Sequence, residues 1–289
     1  MDDRRPSATA LMVALSMLRR GSRYALPAAV IDGAAQALRS ASWGWRSLQR
    51  LAVSAPGRRL LDRVERALLP GMADHHCARK RWIAERLRAA PISQRWLWLG
   101  SGFDCSGRVL AHELAAEQAI HLFELDHPAS RRLQWSETEL QPRSHSLDFR
   151  WPDDTDTLLR LLDAEPSTLV LEGVAMYWSS EDLLSCLQQI CQLTTPPRLL
   201  FTALAPQSTS IAVGGWLRLQ REPFRWRETP EQLIELLQGL GYQCRDRWQG
   251  PCFGEFGLDL HWQPGASRPA ARTGPYAAHW RGQPAALPA

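Results

Sequence analysis

Two apolar runs each end in residues that could hold a ligand. Trp96–Leu99 is followed by Gly100-Ser-Gly102, and Ile120–Phe123 is followed by Glu124-Leu-Asp126. Glycine lets a backbone approach a ligand closely, and an acid at the end of a strand can bind ribose hydroxyls. The pattern indicates strand, glycine turn, helix, strand and acid. It predicts a nucleoside cofactor site in which one acid binds ribose and the other caps the next helix.

The glycine turn departs from the dinucleotide-binding fingerprint. Where G-x-G-x-x-G has its third glycine, this chain has Cys105. In a NAD or FAD site the third glycine allows a helix to pack closely beside a pyrophosphate. The sequence therefore favours a cofactor without a pyrophosphate, and a plain turn between strand and helix remains the alternative.

Further candidates follow the next predicted strands. Asp148 could accept a hydrogen bond from an adenine amino group and Phe149 could cover the ring, or the two could be a turn acid and a core aromatic. Glu172 follows the apolar run Leu169–Leu171 and should face the crevice between the first and fourth strands. A carboxylate there would suit a cationic ligand.

Aromatic, histidine and arginine residues give weaker signals. Met176 and Tyr177 could wall a substrate pocket or pack in the core. His75-His76-Cys77 has no partner at metal-ligand spacing, so no metal site is predicted. Arg79 or Arg81 could bind a carboxylate through a planar guanidinium, or be a solvated helix charge.

Composition sets the broad class. The chain has 289 residues, is 45% hydrophobic and 22% charged, and carries a formal net charge of +4, which is typical of a globular protein. Lys80 is the only lysine, and residues 1–66 hold 12 arginines. This basic region could contact nucleic acid or an acidic lipid surface, although an arginine-flanked helical cap is favoured.

The six cysteines form no C-x-x-C pair, so neither a zinc site nor a dense disulfide framework is predicted. A reducing cytoplasm is the expected location. Residues 8–18 faintly resemble a signal peptide but run directly into Arg19-Arg20 without a convincing cleavage site. No run approaches the roughly 18 apolar residues that a membrane span needs.

The elements that must position these residues follow from periodicity. Helical apolar spacing predicts an N-terminal helical extension over residues 1–90. From Arg95 strands and helices alternate, which predicts a mostly parallel sheet with helices on both faces over residues 91–263. Residues 264–289 are rich in Pro, Ala, Gly and Arg and are predicted to be a disordered tail. The predicted helices are 8–20, 27–50, 58–69, 74–90, 106–117, 128–136, 154–163, 180–193 and 230–239, and the predicted strands are 96–100, 120–125, 144–147, 168–172, 198–204, 242–249 and 255–262.

Seven segments, in this order, resemble the leucine carboxyl methyltransferase family of class I S-adenosylmethionine-dependent methyltransferases, which includes bacterial polyketide O-methyltransferases. The resemblance covers roughly residues 74–262 and implies an α/β fold, a seven-stranded Rossmann-like methyltransferase sheet with helices on both faces and an N-terminal helical lid. The segments are ARKRWIAERL (78–87), LWLGSGFDCSGRVL (97–110), HLFELDHPA (121–129), SLDFRW (146–151), LVLEGVAMYW (169–178), PFRWRETPEQLIELLQGLGYQ (223–243) and GEFGLDL (254–260).

The resemblance implies S-adenosylmethionine as cofactor and a role for each matching residue. Arg79 corresponds to the arginine that binds the methionine carboxylate. Gly100, in the turn to Gly102, corresponds to the glycine whose backbone passes the methionine part. Asp126 corresponds to the ribose-binding acid.

The resemblance also places Asp148 and Phe149 around adenine and Glu172 beside the cofactor. The segment Cys105-Ser106-Gly107 departs from the GFDTR pattern that is common in the family, so the cofactor loop is altered. Before residue 74 the match is poor, apart from a faint likeness over Ser7–Leu18, so the resemblance does not imply a particular acceptor.

The implied reaction is methyl transfer to an oxygen by in-line displacement at the sulfonium methyl group, which depends mainly on positioning. A carboxylate acceptor is already ionised, whereas a hydroxyl needs a base. Because no histidine stands at an obvious base position in the matching region, a carboxylate is favoured. The arginine-rich composition suggests a bacterial source, where a small metabolite is a more typical acceptor than a peptide.

Two other classes of function stay open. One is a non-catalytic binding protein that keeps the methyltransferase fold, which the altered Cys105-Ser106-Gly107 loop permits. The other is a nicotinamide-dependent oxidoreductase, against which the missing third glycine and Glu172 argue. No nucleic-acid partner is expected, and the sequence does not predict the oligomeric state.

Overall fold

The N-terminal third of the chain is helical. A computed structural model describes residues 7–89, 93–131, 143–150, 153–205, 224–225, 228–252 and 254–263. The N-terminal helices are α1 (Ala8–Arg20), α2 (Ala28–Ser40), α3 (Trp43–Val53), α4 (Ala55–Leu68) and α5 (Met72–Ala89), with a short 3-10 helix at Gly21–Tyr24.

The helix predicted over residues 27–50 is two helices, so that prediction is wrong in its continuity. The chain breaks at Ala41 and Ser42, whose backbones are extended with ψ of −170° and 165°. Serine is unfavourable in a helix interior because its hydroxyl competes for backbone hydrogen bonds. Ser40 ends the first helix and Ser42 lies at the break. The prediction for residues 8–20 is confirmed, and Ser7 caps α1 by accepting a hydrogen bond from the Ala10 N–H at 3.1 Å.

The remainder forms a seven-stranded sheet of order β3-β2-β1-β4-β5-β7-β6. The first five strands in chain order are parallel, and β7 runs antiparallel to β5 and β6. The predicted fold class is confirmed, with strand bounds shifted by one residue at most. The elements are β1 (Arg95–Leu99), α6 (Ser106–Leu114), β2 (His121–Asp126), α7 (Pro128–Arg131), β3 (Ser144–Asp148), α8 (Thr155–Asp163), β4 (Ser167–Leu171), a 3-10 helix (Ala175–Tyr177), α9 (Ser180–Ile190), β5 (Arg198–Leu204), α10 (Pro230–Gly239), β6 (Tyr242–Gln249) and β7 (Glu255–Trp262).

Apolar side chains cover both faces of the sheet because successive residues of a strand point to opposite faces. Leu97 and Leu99 of β1 belong to a core cluster with α8, α9 and α10. Trp96 and Trp98 belong to a second cluster with α5 and α6. A further cluster joins α1, α2 and α3 to Phe103 and to α6, so the N-terminal helices pack beside the β1–α6 connection.

The strand register brings the predicted site together. Leu99 pairs with Leu125 on one side and with Leu171 on the other. The residues that follow them, Gly100, Asp126 and Glu172, therefore lie at one level at the carboxyl edge of the sheet. This is the switch point of an open parallel sheet, where ligands bind.

Some predictions lie outside the described residues. They are the tail 264–289, the end of the helix predicted over 128–136, and the boundary at residues 90–91, so the domain division stays a prediction. All six cysteines are free. Within the described residues no helix combines the length and hydropathy needed to cross a membrane.

Candidate functional site

A cavity of about 780 Å³ lies between the N-terminal helices and the carboxyl edge of the sheet. Its polar end is lined by the residues that follow the strands and by α5: Arg79, Lys80, Gly100, Ser101, Gly102, Asp104, Asp126, Glu172 and Glu255. Its apolar part is lined largely by α1, α3, α4 and the segment after β4: Met12, Val13, Trp45, Leu48, Leu61, Val64, Leu68, Met72, Met176 and Phe224.

The turn after β1 requires glycine. Gly100 and Gly102 have φ of +70° and +63°, a region that other residues rarely adopt. A Cβ on Gly100 would lie 1.9 Å from Cγ1 of Val174, which leaves no space for a side chain. The backbone of this turn therefore forms part of the cavity wall.

Asp126 faces the same turn. Its carboxylate accepts hydrogen bonds from the backbone N–H of Gly102 and from that of His127, the latter at 2.5 Å. Asp126 also lines the cavity, where a carboxylate can accept a hydrogen bond from a ligand. This fits the predicted contact with ribose.

A buried charge cluster closes the polar end. It consists of Arg79, Lys80, Asp104, Glu172 and Glu255. Arg79 donates from Nε to Glu172 at 2.9 Å and from Nη1 to Glu255 at 2.8 Å. Lys80 Nζ donates to Glu172 at 2.8 Å and to Asp104 at 2.6 Å. Glu172 is therefore at the predicted crevice, but two cations of α5 already hold it.

The members of this cluster hold one another in their charged forms. Burial alone would lower the pKa of Lys80, but Asp104 and Glu172 outweigh it and raise that pKa. Burial alone would raise the pKa of Glu255, but Arg79 and His75 hold it well below the ordinary value. The cluster thus contains two cations and three carboxylates. Its net charge, without His75 or a ligand, is one negative charge.

Two histidines of α5 also line the cavity, and the sequence had indicated no histidine at a base position. His75 Nε2 is hydrogen-bonded to Glu255. His76 Nδ1 is 2.9 Å from Ser16 Oγ. Burial, and then the electrostatic effects of Arg79 and His75, lower the pKa of His76 well below its usual value. At neutral pH His76 is therefore a neutral imidazole, and its lowered pKa makes it a weaker base than an ordinary histidine.

Asp148 and Phe149 lie at the same sheet edge but do not line the cavity. Asp148 pairs with Asp126 between β3 and β2 and is exposed. Phe149 is buried in the first core cluster, and its N–H donates to the Asp126 carbonyl at 2.9 Å. Phe149 thus has a core role, and the contacts of both residues with adenine stay predictions.

The structure places Met176 and Tyr177 at the cavity, as expected of pocket walls. Tyr177 Oη donates to Thr9 Oγ1 at 2.7 Å, which ties the segment after β4 to α1. The Tyr177 ring lies 5.4 Å from that of Phe224. The contact of these side chains with a substrate remains a prediction.

The altered loop Cys105-Ser106-Gly107 does not line the cavity. Cys105 is buried against α1 and α2. A Cβ on Gly107 would lie 2.8 Å from the ring of Trp98, so Gly107 allows α6 to pack closely on β1. This is the packing function of the missing third glycine, performed two residues further along.

Fold and site together define an α/β methyltransferase-like protein. A family model for leucine carboxyl methyltransferase matches residues 10–191, and the chain belongs to this family. The match begins within α1, so it includes N-terminal helices that the sequence resemblance, starting near residue 74, had left out.

Solved structures agree on the fold. A DUF574 family protein from Streptomyces avermitilis is 14% identical with a TM-score of 0.55, over 80% of this chain and 97% of the other. A structure from Thermobifida fusca, provisionally named a methyltransferase, is 16% identical with a TM-score of 0.52, over 80% of this chain and 94% of the other. No curated protein matches the chain.

Proposed function

We propose that this protein transfers a methyl group from S-adenosylmethionine to an oxygen of an acceptor that has an apolar body. The observation that carries the proposal is that one continuous cavity joins the Gly100–Gly102 turn and Asp126 to the apolar walls of the N-terminal helices. Membership of a methyltransferase family supports it.

The polar end fits the cofactor in charge and in donor chemistry. Asp126 can accept from ribose hydroxyls. Arg79 Nη2 makes no hydrogen bond to the described residues and lies 3.4 Å from where a Cβ on Gly173 would stand, so it is available for a carboxylate. The excess negative charge of the cluster suits a ligand that carries a sulfonium and an ammonium group. When bound, the cofactor supplies an electrophilic methyl group.

The apolar part of the cavity would position the acceptor. Walls such as Met12, Trp45 and Leu61 exclude water and hold an apolar body by burial. Methyl transfer depends chiefly on such positioning. A carboxylate oxygen on a small metabolite or peptide needs no base, and we keep it as the first candidate acceptor.

A hydroxyl acceptor is the second candidate, and His76 favours it. A neutral imidazole on the cavity wall can take the proton that a hydroxyl loses. Methyl transfer to a hydroxyl would then depend on His76, whereas transfer to a carboxylate would not.

Calorimetry with S-adenosylmethionine, S-adenosylhomocysteine and NAD tests the proposal without knowledge of the acceptor. We expect micromolar binding of both sulfur nucleosides and none of NAD. Loss of a hydrogen-bonding partner of a charged group costs about 1.5–3 kcal/mol, so Asp126→Ala should weaken binding about 10- to 150-fold. Arg79→Lys keeps the positive charge but loses the planar guanidinium with its paired N–H donors, so it should also weaken binding.

Asp156→Ala, an exposed acid on α8, is the matched control and should bind like the parent. Failure of the folded parent to bind either sulfur nucleoside would refute the proposal. If Asp126→Ala and Arg79→Lys both bind normally, the residue assignment is wrong although the fold is right.

A further inference from the structure

One helical hairpin carries an unusual share of exposed apolar surface. All the large apolar side chains that are strongly exposed among the described residues lie on α3 and α4. Trp43 is 74% exposed and Leu68 is 65% exposed. Such a concentration of exposed apolar side chains on one pair of helices indicates an interaction site. The set is Trp43, Leu51, Val53, Leu60, Val64 and Leu68.

The same hairpin carries positive charge that nearby acids do not neutralise. Its two acids, Asp62 and Glu65, are held by Arg19 and Arg20 of α1. Six exposed arginines form no ion pair with any described residue, and they are Arg46, Arg50, Arg58, Arg59, Arg63 and Arg66. A partner of this surface must therefore be anionic as well as apolar.

On α4 the two kinds of side chain alternate in a regular way. Leu60, Val64 and Leu68 form a stripe at i, i+4 and i+8, and Arg59 and Arg63 flank it. Val64 and Leu68 also line the cavity. The stripe therefore runs from the exposed surface into the mouth of the cavity.

A bilayer surface fits this arrangement better than a protein. In a two-fold contact with a second copy the unpaired arginines would face one another. An acidic protein could pair with the arginines. However, the half-exposed aliphatic side chains between the guanidinium groups better match a bilayer, which has anionic headgroups at its surface and hydrocarbon beneath them.

We propose that the hairpin α3–α4 docks on an anionic lipid surface and turns the cavity mouth towards the bilayer. An apolar compound could then enter the cavity from the lipid without crossing water. This goes beyond the proposed function and does not depend on it, because docking requires no methyl transfer.

Cosedimentation of the full chain with phosphatidylcholine vesicles, with and without phosphatidylglycerol, tests the docking. We expect binding only to the anionic vesicles, weakened by salt. Each basic residue near an anionic surface strengthens binding roughly fivefold, so Arg59→Gln/Arg63→Gln should weaken it about 30-fold. Trp43→Ser/Leu60→Ser should weaken it about tenfold or more.

The matched control is Arg160→Gln/Arg245→Gln, which removes the same charge from exposed positions on α8 and β6 and should bind like the parent. Binding of S-adenosylhomocysteine by each variant checks folding and reports separately on the proposed function. Absence of binding to anionic vesicles would overturn the inference. Equal binding by the Arg59→Gln/Arg63→Gln variant and the Arg160→Gln/Arg245→Gln control would also overturn it. Self-association that Trp43→Ser/Leu60→Ser abolishes would do the same, because a second copy would then cover the surface.

Discussion

Glu172 has cationic partners from α5 before any ligand binds. Arg79 and Lys80 hold its carboxylate at 2.9 and 2.8 Å. A buried acid is costly without partners, and a bound cation is not required to explain this one. Glu172 therefore orients Arg79, which is the residue that we propose binds the cofactor carboxylate.

Replacement of Glu172 by Gln should test this indirect role. The change keeps the shape but removes a charged partner from Arg79 and Lys80, so binding of S-adenosylmethionine and of S-adenosylhomocysteine should fall alike, by roughly tenfold or more. Calorimetry with both ligands measures this, and Glu231→Gln, in an exposed ion pair with Arg247, is the control. A loss of affinity for S-adenosylmethionine alone would mean that the Glu172 carboxylate interacts directly with the sulfonium.

At the residue scale the sequence identified the ends of strands but not the pairs between distant segments. Gly100, Asp126 and Glu172 could be found because each follows an apolar run. Glu255 could not, because its partner Arg79 stands 176 positions earlier in the chain, and no local pattern joins them. Lys80 left one unused signal, since it is the sole lysine among 34 basic residues.

Among the elements, α4 is held in place by a few polar contacts. Arg19 of α1 contacts Asp62 at 2.5 Å and Glu65 at 2.6 Å, and Glu65 accepts a hydrogen bond from the N–H of Ala73 in α5 at 2.9 Å. The outer side of α4 is exposed. Arg19 therefore links the helix that forms the cavity mouth to the rest of the protein.

We expect Arg19→Leu to loosen α4 without unfolding the sheet. Removal of the Arg19 guanidinium leaves the buried carboxylate of Glu65 without its cationic partner, which lowers stability. Amide hydrogen exchange should become at least about tenfold faster in α4, and exchange in β1 and β4 should not change. Arg81→Leu, which breaks an exposed pair with Glu85, is the control and should leave both unchanged. Equal exchange in α4 of the parent and Arg19→Leu would show that apolar packing alone holds this helix.

Periodicity predicted most elements because strands and helices of this sheet are buried in regular patterns. It missed the break at Ala41 and Ser42, where apolar spacing continues through the turn. It also missed how Gly107 replaces the third glycine of the fingerprint, since that depends on the Trp98 ring in a neighbouring strand.

For the whole molecule, the cavity is enclosed on one side by a sheet of fixed order and on the other by helices rich in arginine. The sequence predicted the sheet from the alternation of strand and helix patterns and from the family resemblance. Neither the cavity nor the position of α5 across its polar end could be predicted, because both depend on packing between residues that are far apart in the chain. That position of α5 brings His76 to the cavity wall and links the protonation of this residue to the stability of the fold.

The free energy of unfolding should fall as the pH drops below about 6.5, the ordinary pKa of histidine. Burial, then Arg79 and His75, lower the pKa of folded His76, so the unfolded chain binds a proton that the folded chain refuses. The stabilisation from neutral His76 is therefore complete above the unfolded pKa and is lost as the pH falls towards the folded one.

Denaturant titrations between pH 7 and 5 would measure this loss, which is at most roughly 1.4 kcal/mol per pH unit for one group. The slope should be smaller in His76→Asn, which keeps a polar atom near Ser16, and unchanged in His121→Asn, an exposed control on β2. Glu255 contributes little in this range because its folded pKa and the ordinary pKa of a glutamate both lie below pH 5. Comparison with His76→Asn separates His76 from Glu124, whose pKa is raised by burial, and from His261, whose pKa is lowered by burial. Parallel curves for the parent and His76→Asn would mean that the fold does not lower the pKa of His76, and the proposed link between its protonation and stability would be refuted.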